Sequence, residues 1–380
     1  MKKMYWRPQR MSLRVLILLA AVIAGGLVAL ETFRPLTKQP FYSERIRAAR
    51  LTRKAFEVIR EARTTRRIKL NPKIDPTRSG MIGKLISDTT TNTGHLAAKQ
   101  TSVNPNFAAA IVEMLINAKV RKGDTVAVGV SGSFPALNIA TYAALHAMGL
   151  KAVVISSVGA SQFGANHPKL LWPDMEKALF DRGIFPYRSA AASLGGIDDR
   201  AVGLSERGHR LLQAGISRSG LTELAVENYD DGLKKRMQIY REKAGDAEIR
   251  AYINVGGGTI SVGTHVGKDL FKPGLNLRMP RGKNIDSVMT RFAKVGVPVI
   301  HISKVSALAE RYKFPPTPRT LPEIGQGAIY IRPGYSRLWA AALLALSLGL
   351  LVAFLRLDLG QRLFAATKSS SGSDSPQQMV

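Results

Sequence analysis

Residues 125–157 read TVAVGVSGSFPALNIATYAALHAMGLKAVVISS, and their pattern decides the fold. Thr125–Val130 is rich in β-branched residues and predicts a strand. Ser131-Gly132-Ser133 interrupts it. Ala136–Met148 predicts a helix that stops at Gly149, since glycine closes a helix in the left-handed conformation at no steric cost. Lys151–Ser156 predicts a second strand, ended by Ser157. A strand, a helix and a strand in this order imply parallel pairing and a right-handed crossover.

The alternation recurs on both sides. Upstream, a helix is expected over Asn106–Lys119, capped by Asn104 with Pro105 in its first turn. Downstream, helices are expected over Pro173–Arg182, Leu204–Ala214, Leu221–Ala244, Ile285–Lys294 and Val305–Tyr312. Strands are expected over Ile249–Val255, which runs into Gly256-Gly257-Gly258, and over Val297–Ile302. The polar, Thr-rich stretch 79–103 has no clear period, and no internal repeat is present. The expected fold class is α/β over residues 73–314, a mainly parallel sheet flanked by helices and Rossmann-like.

Two apolar runs bracket this domain. Residues 13–30 (LRVLILLAAVIAGGLVAL) and 338–355 (LWAAALLALSLGLLVAFL) predict one transmembrane helix near each terminus. A span takes about 20 apolar residues, with roughly 17 as the short limit. Arg14 can snorkel to the headgroups, and Tyr5, Trp6 and Trp339 suit the interface. Ala24-Gly25-Gly26 and Val28-Ala29-Leu30 are poor cleavage sites, so the first run is read as an uncleaved anchor. Lys2, Lys3, Arg7 and Arg10 favour a cytoplasmic segment 1–12, and Arg356, Arg362 and Lys368 a cytoplasmic tail 356–380. Arg34, Lys38, Arg45, Arg47 and Arg50 contest that orientation, but a long translocated domain largely escapes the charge rule. The main domain is therefore expected on the outer side of the membrane.

Residues 31–72 read as a basic juxtamembrane helical segment. Its helix covers 42–70, with Ser43 as N-cap and Asn71-Pro72 as its stop. Ten Lys or Arg residues lie between 45 and 69, against Glu57 and Glu61. It fits a membrane-surface or polyanion-binding helix, and equally a solvated stalk. Residues 315–337 read as a Pro-rich tether, and the Ser-rich end after Thr367 as disordered.

The formal net charge is +28. Between residues 31 and 337 there are 47 basic and 25 acidic residues, a surplus of 22. Such a domain attracts polyanions. Apolar residues make up 45% of the chain, which excludes global disorder. With no cysteine, a disulfide framework, a thiolate metal site and a Cys nucleophile are excluded.

In open α/β sheets ligands bind beyond the carboxyl ends of the strands. Those ends carry Ser131-Gly132-Ser133, Ser156-Ser157, Gly256-Gly257-Gly258-Thr259 and His301-Ile302-Ser303. Ser131, Gly132, Ser133, Ser156, Ser157, Gly256, Gly257, Gly258 and Thr259 are therefore candidates to bind a carboxylate or phosphate. The competing reading is tight strand-to-helix turns. Ser131 also stands where a nucleophile elbow would put it, although Ser133 occupies the position of the second glycine. Asp198 or Asp199, followed by His265 or His301, would complete a hydrolase order. In the alternative, Ser131 and Ser133 bond turn amides or a ligand. A threonine nucleophile within Asp88–Thr93 conflicts with the fold class. No nucleotide fingerprint occurs and no dense His/carboxylate cluster, so neither a cofactor nor a metal is expected. His95 and His167 read as loop histidines.

The runs Gly129–Asn138 (GVSGSFPALN), Ser156–Asn166 (SSVGASQFGAN) and Asn254–Gly258 (NVGGG) resemble the bacterial poly-gamma-glutamate system protein family. The likeness covers most of residues 40–330 and the terminal helices. It implies an accessory role in poly-gamma-glutamate synthesis and export, and it supplies no catalytic residues. The expected partners are poly-gamma-glutamate or another anionic polymer, the membrane, and other membrane proteins of a synthesis/export complex; nucleic acid is not among them. The alternatives are an amide hydrolase or transferase acting on the polymer through Ser131, and a non-catalytic membrane-complex scaffold.

Overall fold

Thr125–Ser131 (β1) and Lys151–Ser157 (β2) pair in parallel, Val128 opposite Val154. Ser189–Ser193 (β3), Ile249–Val255 (β4), Gly274–Asn276 (β5) and Val299–Ile302 (β6) complete a six-stranded sheet in the order β5-β6-β4-β1-β2-β3. Only the edge strand β5 runs antiparallel. The chain steps outward from β1 to β3, then returns to lay β4 on the other side of β1. The direction of winding thus reverses between β1 and β4. The computed structural model describes residues 13–282 and 284–356, in which 38–331 form one unit and the terminal segments another.

Side chains of a strand alternate between faces. Val126, Val128 and Val130 enter one core layer, while Ala127 enters the other. β1 is buried along its whole length, because helices cover both faces, and so it reads as a continuous apolar run. The first layer is built by α1 (Tyr42–Thr65), α2 (Phe107–Asn117) and α3 (Pro135–Met148). The second holds α6 (Tyr229–Ala244) and α7 (Val288–Lys294). Between them in sequence lie α4 (Trp172–Asp181) and α5 (Glu206–Ser219), and α8 (Val305–Arg311) follows β6.

Four expectations need correction. First, the basic helix is no stalk or membrane-surface element. Ala48, Ala49, Ala55, Phe56 and Ile59 are fully buried, because this small-residue stripe lets α1 lie on α2 and α3. Phe41, not Ser43, holds the N-cap position. Second, residues 315–331 are no tether. Ile329 and Tyr330 are buried, Tyr330 Oη donates to Asn106 Oδ1 at 2.6 Å, and the Pro322 carbonyl accepts from Arg53. Third, residues 221–244 are not one helix. Gly220 closes α5, residues 222–224 bond to Ala192 along the sheet edge, and Asn228 caps α6 by accepting from the Asp231 amide at 3.0 Å. Fourth, β3 and β5 escaped the sequence reading. SAAAS lacks the residues that favour strands, and β5 has only three.

In the terminal unit, Leu13–Thr32 and Arg337–Arg356 are helices. Two spans were expected. Among the described residues one stretch, Arg337–Phe354, is long and apolar enough to cross a membrane; the apolar part of the N-terminal helix, Leu16–Thr32, is shorter. The two helices approach closely, since a Cβ at Gly26 would stand 2.3 Å from Leu343 Cδ1. At one end of the pair, Arg34 donates to Tyr335 Oη at 2.6 Å, and Tyr335 donates to Glu31 at 2.8 Å. The expected cytoplasmic segment 1–12 and the tail beyond Arg356 lie outside the described residues.

Candidate functional site

The reversal of strand order opens a crevice of about 470 Å³ at the carboxyl ends of the strands. Ser131, Ser133 and Phe134 enter it from the end of β1, and Gly256, Gly257, Gly258 and Thr259 from the end of β4. The segment after β2 supplies Ser157, Gly159 and Ser161, and the end of β6 supplies His301, Ser303 and Lys304. The Thr run forms one wall: Thr90–Asn92 pairs in parallel with Ala160–Ser161, which brings Thr91, Asn92 and Thr93 to the opening.

Seven of the nine predicted ligand residues therefore line one cavity, and two do not. Ser156 is fully buried on the opposite face of β2. It contacts Ser189 Oγ at 2.5 Å and accepts from Trp172 Nε1 at 3.2 Å. Ser156 and Ser157 are neighbours on a strand and must point to opposite faces, so one of the two had to be structural. Gly132 serves backbone approach. A Cβ there would stand 2.5 Å from the Val158 carbonyl, and its amide donates to Ser157 O at 2.9 Å.

The expected hydrolase constellation does not assemble. Ser131 Oγ donates to the Val255 carbonyl at 3.4 Å rather than to an imidazole. His301 is buried, and Asn254 Nδ2 donates to its Nδ1 at 3.0 Å. Burial, with Lys304 adding to it, pushes His301 down to about 4, so it is neutral near pH 7. Asp199 is committed elsewhere: it accepts from Arg236 Nε at 2.7 Å and from Ser157 Oγ at 3.0 Å. The side chain of His265 lies outside what the structure describes.

Arg236 and Asp199 are each only 2% exposed, and they hold the crevice floor. Arg236 Nη2 also donates to Ser157 Oγ at 3.0 Å and Ser193 Oγ at 2.9 Å. This network fixes a loop with unusual backbone. Gly195, Gly196, Asp198, Asp199 and Ala201 all have positive φ, between 52° and 81°. A non-glycine residue there costs about 1–2 kcal/mol, so the loop persists because its surroundings over-determine it. Thr259 Oγ1 adds a bond to the Gly196 carbonyl at 2.9 Å. Gly196 and Ile197 of this loop face the cavity.

One residue of the site was missed altogether. Lys99, in the helix Leu96–Ser102, is 2% exposed. Its Nζ donates to Ser161 Oγ at 2.8 Å and to the Ser133 carbonyl, and it stands 3.6 Å from the Phe134 ring centroid. No carboxylate is among these partners. Burial pulls its pKa down to about 7. Nothing in HLAAKQTSV marks this lysine; only the packing of its helix against the β1 and β2 ends puts it there. Lys99 lies behind Ser133, Phe134 and Ser161 rather than on the cavity surface; the charged lining itself is Lys268, Lys304 and Asp269, and Asp269 lies 2.7 Å from Lys304.

The cavity thus combines hydroxyls, glycine backbone and ammonium groups, a set suited to a carboxylate or phosphate. Among the described residues no cluster of three His, Cys, Asp or Glu side chains could hold a metal ion. Comparison with family models, curated proteins and solved structures finds no match.

Proposed function

We propose that the chain is a membrane-anchored accessory component of bacterial poly-gamma-glutamate synthesis or export, and that the crevice receives carboxylates of that polymer or of another anionic polymer. Lys99 carries this reading. An ammonium withdrawn from water is costly unless a counter-charge or strong hydrogen bonds compensate it, and here no protein carboxylate does. A ligand carboxylate entering between Ser133, Ser161 and Thr259 would supply it. Lys268, Lys304 and the surplus of 22 basic residues add long-range attraction.

The fold reading is sharpened in the same sense. The parallel strands follow the order β3-β2-β1-β4-β6, as in a Rossmann-like doubly wound sheet, where ligands sit at the reversal. The N-terminal helix, whose apolar part is at the short limit for a span, is paired with a C-terminal helix of the same 20-residue length, which supports a second crossing. Two crossings leave both termini on one side, and the basic residues Lys2, Lys3, Arg7, Arg10, Arg356, Arg362 and Lys368 favour the cytoplasmic one, with the domain outside. There it meets the emerging polymer and other membrane proteins of the complex.

Full-length protein in detergent, titrated with poly-gamma-glutamate, tests the reading. Affinity is expected to fall by about an order of magnitude as salt rises from about 0.05 to about 0.5 M. No binding at the lowest salt removes it.

The 2.8 Å contact between Lys99 Nζ and Ser161 Oγ favours a second reading, an amide hydrolase or transferase with Ser161 rather than Ser131 as nucleophile. Neutral Lys99 would take the Ser161 proton while Oγ attacks an amide carbonyl. The C–N bond breaks, the proton passes to the leaving amine, and water or an acceptor amine then cleaves the ester. Polymer length followed over time should shorten with wild type and Ser131→Ala but not with Ser161→Ala. Constant length in all three excludes catalysis.

A further inference from the structure

A second cavity, of about 290 Å³, lies at the carboxyl end of α1. Its polar lining is Arg63, Arg67, Lys69, Lys84, Asn71 and His167, and no carboxylate is among the lining residues. Ile68, Ile74 and Ile82 supply its apolar side. None of these residues belongs to the crevice described above.

Basic residues near a helix end often do no more than complement the helix dipole. Arg66 does so, donating to the Ala62 carbonyl. Arg63 does not. It is 94% buried, by its 6% exposure, and its Nη1 turns away to bond the carbonyls of Gly80 at 3.0 Å and Ile82 at 3.1 Å. That leaves the Nε–Nη2 edge of the guanidinium. Nε is buried without a protein partner, and no hydrogen bond engages Nη2. Nε is sealed off by the surrounding protein, so Nη2 is the group left to donate to an oxyanion in the cavity.

The neighbours are fixed to suit. The Lys84 backbone is held by Asn166, whose Oδ1 accepts from the Lys84 amide and whose Nδ2 donates to its carbonyl, both at 2.8 Å. Arg67 sits at φ 54°, a left-handed conformation that turns the chain at the cavity wall. His167 Nδ1 accepts from the Lys169 amide at 3.2 Å, so its Nε2 carries the proton and is a donor. Burial foremost, then the charges of Lys84, Arg63 and Lys169, push His167 down to about 4, so it is a neutral donor near pH 7. The nearby carboxylate, Asp75, acts on Arg63 but is itself saturated by Ser79, Gly80 and Thr77.

We infer that this cavity is a phosphoryl-binding site, in which the unbonded Nη2 of Arg63, together with Arg67 and Lys84, holds a dianionic phosphate group and the His167 Nε2–H donates to it. Four cationic side chains, Arg63, Arg67, Lys69 and Lys84, line the cavity and match a dianion better than a single carboxylate. The volume admits a phosphate with a small substituent. The site stands independently of the polymer reading, because it shares no residue with the crevice.

The test uses full-length protein in phosphatidylcholine nanodiscs, titrated with inorganic phosphate and, separately, prepared with phosphatidic acid in the bilayer. Saturable phosphate binding that Arg67→Ala and Lys84→Ala each weaken about tenfold is the expected result. Both side chains are exposed, so these variants keep the fold if Arg63→Ala does not. Binding of phosphatidic acid without free phosphate, equally sensitive to the variants, assigns the same chemistry to a lipid headgroup. Absence of binding in both arms, binding indifferent to both substitutions, or acetate binding as tight as phosphate overturns the proposal.

Discussion

Replacing Asp199 with alanine is expected to destabilise the domain by about 3–5 kcal/mol. The Arg236 guanidinium is 2% exposed and cannot reach water when its partner is removed. Burial disfavours its charge, and Asp199 together with Tyr240 and Tyr252 outweighs that. The loss has a second part. Asp199 anchors the loop 195–201, whose positive-φ residues have no local reason to stay in place. Gly196 and Ile197 should leave the crevice wall with it. Urea unfolding followed by the fluorescence of buried Trp172 measures the first part, and polymer affinity the second. The double variant Asp199→Asn, Arg236→Met removes both charges and should recover much of the stability, since a buried pair exchanged for neutral groups of similar volume is often close to neutral. A loss below about 1 kcal/mol in the single variant would show that the pair is not buried as described.

Lys99→Met is expected to flatten the pH dependence of stability and to abolish the neutral-pH component of polymer binding. The unfolded chain keeps this lysine protonated up to its ordinary 10.5, whereas the folded protein releases the proton at about 7. Between those values the unfolded state binds more protons, so wild-type stability rises with pH from about 7 towards 10.5 and is lowest below 7. The full difference is on the order of 5 kcal/mol. Methionine fills similar space and does not titrate, so the slope should vanish. Affinity moves the other way. The ligand needs the ammonium, so polymer binding should weaken as pH rises above 7 in wild type but not in the variant. Parallel slopes in the two proteins would remove Lys99 from the site.

Much of the site was legible because strand ends obey a rule. Once β1, β2, β4 and β6 are read as strands, their carboxyl ends must gather, and Ser131, Ser133, Ser157, Gly256 and His301 gather with them. The hydrolase reading failed because chain order says nothing of partners: Asp199 pairs with Arg236, 37 residues on. Lys99 and Arg63 escaped for a related reason. A lysine in a short helix and an arginine in a basic one look solvated until their neighbours are known.

The sequence by itself determined the alternating α/β order, the parallel central strands, the basic surplus and the apolar termini. Each follows from local pattern, composition or the period of side chains along one element. Tertiary structure alone decided which glycines are spacers, that α1 is core rather than stalk, and that residues 315–331 pack on the domain. It also decided which charges are left without a protein partner. Those properties depend on what lies across a gap from each residue. Burial turns an ordinary ammonium or guanidinium into a group that demands a counter-charge, and no stretch of sequence carries that demand until the fold removes the water.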